Sequence, residues 1–422
     1  MNTLARRLTT RDAVAVGLSS MIGAGVFAAF GPAAGAVLPT GTGAALLIAL
    51  GLAAVVAYAN ATSSAQLAAQ YPTSGGTYVY GRERLGPWWG YLAGWGFVVG
   101  KTASCAAMAL TFAAYAAPPG LEHPVAAAAV IALAAVNYRG VTRTARLARW
   151  IVSLVLLTLA ITVTVALGAG RPDFAQLGFG DGGASLLGGP TGWYGVLQAA
   201  GLLFFAFAGY ARIATMGEEV RDPQRTIPRA IVLALGGVVA LYAVIAVCLL
   251  AVLGLFGTAS TSVPLVYAVA NTPWAIGVVR VGAAAASLGA LLALMTGIGR
   301  TSLAMAREND LPRWLAAVHP RYRVPHRAEV ALAIVVVALV LTVDLRGAIG
   351  FSSFGVLVYY AVANLSAWTQ TGAHRRFPRI LQAVGLVGCL ALCATLPWTA
   401  VLTGLGVFAV GLGVRAVRVR MR

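Results

Sequence analysis

The sequence predicts an all-α integral membrane protein of about 12 transmembrane helices, and three observations carry that prediction. Of the 422 residues 59% are hydrophobic and only 10% charged, against about 25% charged in ordinary soluble domains. The apolar runs are long and do not alternate, which favours helices of about 20 residues over the roughly 10-residue alternating strands of a membrane barrel. Basic residues gather in every second loop, as they do on the cytoplasmic side of polytopic proteins. The net charge of +18 would suggest nucleic acid as the partner of a soluble protein; here it reports topology, and no nucleic-acid partner is expected.

Twelve spans follow in order. Span 1 (12–37) is interrupted by glycines, and span 2 (41–66) follows it closely. Span 3 (86–117) is long and carries Lys101 at its middle, whereas span 4 (124–138) is short. Span 5 (144–169) is long, and span 6 (192–217) is interrupted at Ala208-Gly209. Span 7 (228–256) starts behind Pro223 and Pro228, where helix starts are expected. Span 8 (276–306) is long, with Arg300 near its inner end and Pro312 beyond it. Spans 9 (328–345), 10 (347–370, with Tyr359 and Tyr360), 11 (377–396) and 12 (398–416) complete the set.

With both termini cytoplasmic, the inner segments hold Arg6, Arg7 and Arg11; Arg82 and Arg84; Arg139 to Arg149; Arg221 to Arg229; Arg307 to Arg327; Arg375 to Arg379; and the arginines of the C-terminal tail. The outer side receives Arg171, Arg280 and Arg346. The first apolar segment is too long and too Gly-interrupted for a cleavable leader. Cys105, Cys248, Cys389 and Cys393 fall inside spans, so neither disulfides nor a metal site is expected. His123, His319, His326 and His374 fall in loops by this map, so no histidine serves a mid-membrane metal or relay. No cofactor motif is present.

Two places break the helical pattern: GLSSMIGAGVFAAFGPAAG from Gly17 to Gly35, and LLFFAFAGYARIA from Leu202 to Ala214. They lie five spans apart, the separation expected if spans 1–5 (12–169) and 6–10 (192–370) are inverted-topology repeats whose discontinuous first helices build a site at the bilayer midplane. A broken helix exposes N–H groups at one new end and carbonyls at the other, where no bulk water competes. The first can hold a carboxylate and the second an ammonium. A competing reading makes the glycines small-xxx-small contacts between helices.

The chain resembles the amino acid, polyamine and organocation (APC) transporter superfamily, particularly its cationic-amino-acid-transporter-like bacterial permeases. The carrying motifs are MIGAGVF (Met21–Phe27), FFAFAGY (Phe204–Tyr210), EEVRDPQRTIPRAI (Glu218–Ile231) and GRTSLAMARENDLPRWLAAVHPRYRVP (Gly299–Pro325). The resemblance implies a LeuT-like fold of five plus five helices, two C-terminal helices (371–422 with the tail), and alternating access to a central amino-acid site. It implies that the substrate carboxylate meets the span 1 break at Met21, Ile22, Gly23, Ala24 and Gly25, beside Ser20. The amine would face carbonyls of Phe205, Ala206 and Ala208, next to Gly209. Phe205 matches an aromatic gate, and Tyr359 or Tyr360 offers a second lid unless both are core tyrosines.

Departures from the family pattern bear on coupling. Sodium-coupled relatives place hydroxyls on span 8, where this chain reads GALLALM (Gly289–Met295), so sodium is disfavoured. The lysine of proton-coupled relatives on span 5 aligns with Val155. Lys101, the one lysine of the chain, is instead on span 3. A mid-membrane cation costs about 2.5–3.5 kcal/mol on insertion scales and is a functional candidate by default. A desolvated lysine, unlike an arginine, can exchange protons; the alternative is a lysine tied to backbone carbonyls.

Lys101 and Arg212, without a mid-membrane carboxylate, disfavour a cationic substrate, so a neutral amino acid is expected, ahead of an acidic one. Arg212 can also pair with Glu218 or Glu219. Proton symport through Lys101 is expected, with exchange as the rival coupling and a non-transporting amino-acid sensor as the rival class. No catalytic constellation marks an intramembrane enzyme. The Ala-, Gly- and Arg-rich composition suggests a bacterial inner membrane, and the oligomeric state is left open.

Overall fold

The computed structural model describes residues 8–72, 75–140, 145–178, 190–214, 216 and 220–420, apart from the side chains of 145, 146, 190 and 373. Each predicted span contains a helix. Nine helices among the described residues are long and apolar enough to cross a membrane. Spans 4, 9 and 11 are the shorter helices Glu122–Tyr138, His326–Thr342 and Arg379–Thr395, of 17 residues each. At 1.5 Å per residue these reach about 25 Å, slightly less than the hydrocarbon thickness.

Span 1 is built from three pieces, Thr10–Met21, Ala24–Ala28 and Phe30–Val37. Its start is fixed by a capping box, Thr9 accepting from the Asp12 N–H while the Asp12 carboxylate accepts from Thr9. Span 2 runs from Gly43 to Gln70, beyond the expected end at 66, because its polar tail Asn60–Gln70 stays helical between neighbouring helices. Span 7 runs from Pro223 to Ala259 and includes both prolines. Pro228 has no N–H for the Gln224 carbonyl, and Arg376 donates to that carbonyl instead.

A helix not anticipated from the sequence, Gly76–Leu85, lies between spans 2 and 3. Spans 3, 5, 8, 10 and 12 are Pro87–Ala116, Ala145–Ala169, Pro273–Arg307, Leu345–Trp368 and Trp398–Arg420.

The packing repeats with a period of five spans. Span 3 packs on spans 8 and 10, and span 8 on spans 3 and 5; span 2 packs on spans 6 and 7, and span 7 on spans 1 and 2; spans 4 and 9 pack on each other. Shifting the span numbers in each of these pairs by five returns the same pairs. Span 11 lies against spans 2, 6 and 10, and span 12 against spans 3 and 10, outside that pattern. Among the described residues no strand forms beyond a single parallel bridge, Leu8 to Val220, which ties the chain before span 1 to the chain before span 7.

Candidate functional site

Span 1 leaves helical geometry at Ile22 (φ −79°, ψ 44°) and Gly23 (φ −92°, ψ −138°) and resumes at Ala24. No side chain caps the resumed helix. Span 6 is α-helical over Pro190–Phe207, tightens to a 3-10 turn at Ala208–Tyr210, and continues as Ala211–Ala214. The two irregular segments touch through glycine. A Cβ on Gly25 would lie 2.6 Å from the Ala206 Cα, and one on Gly209 would collide with the backbone of Ser20 and Met21. Only residues without side chains let the backbones approach this closely.

The carbonyls freed by these irregularities are held by three side chains. The Tyr242 hydroxyl, on span 7, lies 2.7 Å from the Met21 carbonyl and 3.1 Å from that of Ala206, so one phenol pins both interrupted helices. The Lys101 ammonium donates to the Ala208 carbonyl at 3.2 Å, and the Tyr360 hydroxyl reaches the same oxygen at 3.4 Å. Lys101 is thus tied to a backbone carbonyl, and it also faces a cavity.

The cavity has a volume of about 220 Å³, far more than the ~10–15 Å³ that a single water requires. Of the residues expected from the sequence, Ser20, Lys101, Phe205, Ala208 and Gly209 line it. Met21, Ile22, Gly23, Ala24, Gly25 and Ala206 are buried and do not line it; the Ala290 methyl lies 2.8 Å from where a Gly23 Cβ would be. Tyr359 and Tyr360 are core residues here. Tyr360 stacks on Tyr210 at 5.0 Å, and Tyr359 lies between Phe97 and Tyr360, its hydroxyl accepting the Thr77 N–H at 3.2 Å. Arg212 lines the cavity; Glu218 and Glu219, its expected partners, lie outside the described residues.

From Lys101 the cavity extends toward the side of the bundle where span 1 starts and span 12 ends, past Thr301, Arg300 and Tyr78. Tyr78 belongs to the helix Gly76–Leu85, which has no signature in the sequence because a ten-residue segment of low apolar content between two spans looks like a polar loop. A charged cluster anchors that helix. The Tyr78 hydroxyl donates to Asp310 at 2.8 Å, Arg82 bridges Asp310 and Glu308 at 3.2 Å each, and the buried Arg415 of span 12 pairs with Asp310. Burial, and then the facing Asp310 carboxylate, hold the Tyr78 phenol well above its ordinary range, so it stays a donor.

The chain is similar to known proteins over nearly its whole length. The chain is 58% identical over 417 residues, 98% of its length and 92% of the relative, to an uncharacterized transporter, Rv1999c, of Mycobacterium tuberculosis. It is 24% identical over 450 residues, 97% of this chain and 92% of the relative, to the branched-chain amino acid permease BcaP of Bacillus subtilis. The crystal structure of MhsT in complex with L-phenylalanine superposes with a TM-score of 0.64 at 16% identity, covering 95% of this chain and 100% of that one. That likeness shows an all-α, LeuT-like membrane transporter fold. The family model described as amino acid permease matches residues 8–412. The chain therefore belongs to the amino acid permease family of the APC superfamily.

Proposed function

We propose that this transporter moves a neutral amino acid across the bacterial cytoplasmic membrane by alternating access, coupled to protons through Lys101. The observation that carries the reading is the meeting of two helix interruptions at a cavity into which one buried ammonium projects. The five-span periodicity of the packing supports two repeats, 12–169 and 192–370, related by inversion. The clustering of arginines on the termini face supports a cytoplasmic location for both ends. The cavity then opens inward.

In this reading the substrate carboxylate meets the N–H groups of Gly23, Ala24 and Gly25 after Ala290 and Ala206 draw back, and the amine seats at the carbonyls of Phe205, Ala206 and Ala208. Lys101 already donates to one of those carbonyls. Protonation of Lys101 and arrival of the amine are therefore linked, since each changes the affinity of the site for the other. Phe205 lines the cavity and serves as the gate, with Tyr360 behind it. A cationic side chain would meet Lys101, Arg212 and Arg300, which line the same space; the name of the Bacillus relative, a branched-chain amino acid permease, supports a neutral substrate.

The test is uptake in proteoliposomes across the twenty amino acids with and without a pH gradient. Lys101→Ala is expected to abolish gradient-driven uptake and to spare counterflow; gradient-driven uptake at the parental rate would overturn the assignment. Arginine or lysine outcompeting every neutral amino acid would overturn the substrate class. Tyr242→Phe removes the phenol that holds Met21 and Ala206. At about 1–2 kcal/mol for a shared buried hydrogen bond, apparent affinity should fall on the order of tenfold, read as a raised KM in the same assay.

A further inference from the structure

Span 2 carries a polar stripe on its buried side. Asn60, Ser63, Gln66 and Gln70 recur at helical spacing; the first three are wholly buried and Gln70 is half-buried. The stripe covers eleven residues, about 15 Å of rise from first to last, or half the hydrocarbon. Span 10 answers it residue by residue. The Asn364 amide donates to Asn60 Oδ1 at 2.6 Å, Ser63 donates to Asn364 Oδ1 at 2.7 Å, Gln66 donates to the Ala367 carbonyl at 3.3 Å, and Gln370 donates to Gln70 at 2.6 Å.

Interhelical glue would account for those bonds, but not for the atoms they leave over. Asn60 Nδ2, Ser64 Oγ, Gln370 Oε1 and both polar atoms of Gln382, on span 11, are buried without a partner. Buried polar groups are almost always satisfied, and clusters of orphans at one interface mark sites for internal water. The upper end of the stripe adjoins the Lys101 site. Asn364 Nδ2 donates to the Tyr360 carbonyl at 2.9 Å, and the Tyr360 hydroxyl shares the Ala208 carbonyl with Lys101. The lower end reaches the termini face, where Gln66 Oε1 accepts the N–H groups of Arg376 and Phe377 at 3.3 Å.

We propose that the interface of spans 2, 10 and 11 holds a file of buried water that relays protons between the Lys101 site and the cytoplasm, separate from the substrate cavity. The water is argued from the orphaned atoms; its role as a relay rests on the reading of Lys101 as the proton site. Substrate and proton then reach the same centre by different routes, and neither blocks the other in the inward-open state.

Two measurements test this. Radiolytic hydroxyl-radical labelling reads water next to buried side chains. Cys389, whose thiol donates to Asn60 Oδ1 at 3.4 Å, should be oxidised at least roughly fivefold faster than Cys248, an equally buried thiol on span 7. Equal protection of the two thiols overturns the water file. In proteoliposomes, Gln382→Leu and Asn60→Leu should lower gradient-driven accumulation about tenfold while counterflow stays within about twofold, and Asn60→Ser should retain coupling.

The Gln382 side chain makes no protein hydrogen bond, so in a dry interface Gln382→Leu would leave coupling intact and raise thermal stability. That outcome overturns the proposal. If both leucine variants stay coupled while Lys101→Ala does not, the relay runs through the cavity and the proposal fails, with the Lys101 reading intact. If Lys101→Ala itself stays coupled, the Lys101 reading fails and the relay with it; the thiol labelling still decides whether the water is there.

Discussion

Gly209→Ala is expected to reduce transport below detection. The added carbon would collide with the Ser20 carbonyl and lie 2.6 Å from the Met21 nitrogen. Both neighbours are backbone, so no side chain can swing away. Overpacking costs about 1–3 kcal/mol where neighbours can yield, and more where they cannot; here relief requires parting the two interrupted helices. The Tyr242 bonds to Met21 and Ala206 would be stretched by the same displacement.

Gly236→Ala on span 7 is the comparison, because nothing lies within 4 Å of its added carbon. It should transport normally and gain up to about 1 kcal/mol of helix propensity. Uptake and melting temperature of the two purified variants check the pair. Parental transport by Gly209→Ala would mean that the two segments do not need to touch.

The spans and the two interruptions were legible because each has a local signature. Apolar length marks a span, and glycine between aromatic residues marks a place where a helix gives way. Lys101 was legible because a lone cation in an apolar run has to face something polar. Tyr242 was not, since one tyrosine in VVALYAVIAV (Val238–Val247) carries no sign that its hydroxyl meets carbonyls from two other helices. The stripe Asn60–Gln70 has no local signature in the sequence, where span 2 is expected to end at 66; only the placement of spans 10 and 11 reveals that it is enclosed. The closure of the Gly23–Gly25 segment by Ala290 and Ala206 was likewise invisible, as it depends on which helix faces the glycines and how near it comes.

A second large effect, on stability, is expected at Asp310. Its carboxylate receives the Tyr78 hydroxyl, Arg82 and Arg415. Arg415 is 7% exposed and lies over the rings of Trp88 and Tyr91, with guanidinium-to-centroid distances of 5.0 and 4.6 Å. Asp310→Ala would leave that cation buried with aromatic faces and no counter-charge, a situation that costs about 3–5 kcal/mol. The melting temperature should fall accordingly, and the helix Gly76–Leu85 should loosen, because Tyr78 and Arg82 are fastened to the same carboxylate.

Removing the orphan as well tests the cause: Asp310→Ala with Arg415→Met should recover much of the loss, since a buried ion pair replaced by apolar groups is often neutral. By contrast Arg225→Ala, which breaks an exposed pair with Asp222 at 3.9 Å, should cost no more than about 1 kcal/mol. If the double variant is as unstable as Asp310→Ala alone, the carboxylate acts through Tyr78 and Arg82 rather than by neutralising Arg415. The anchor of the helix Gly76–Leu85 would then be local to that helix and the segment after span 8, with span 12 a bystander.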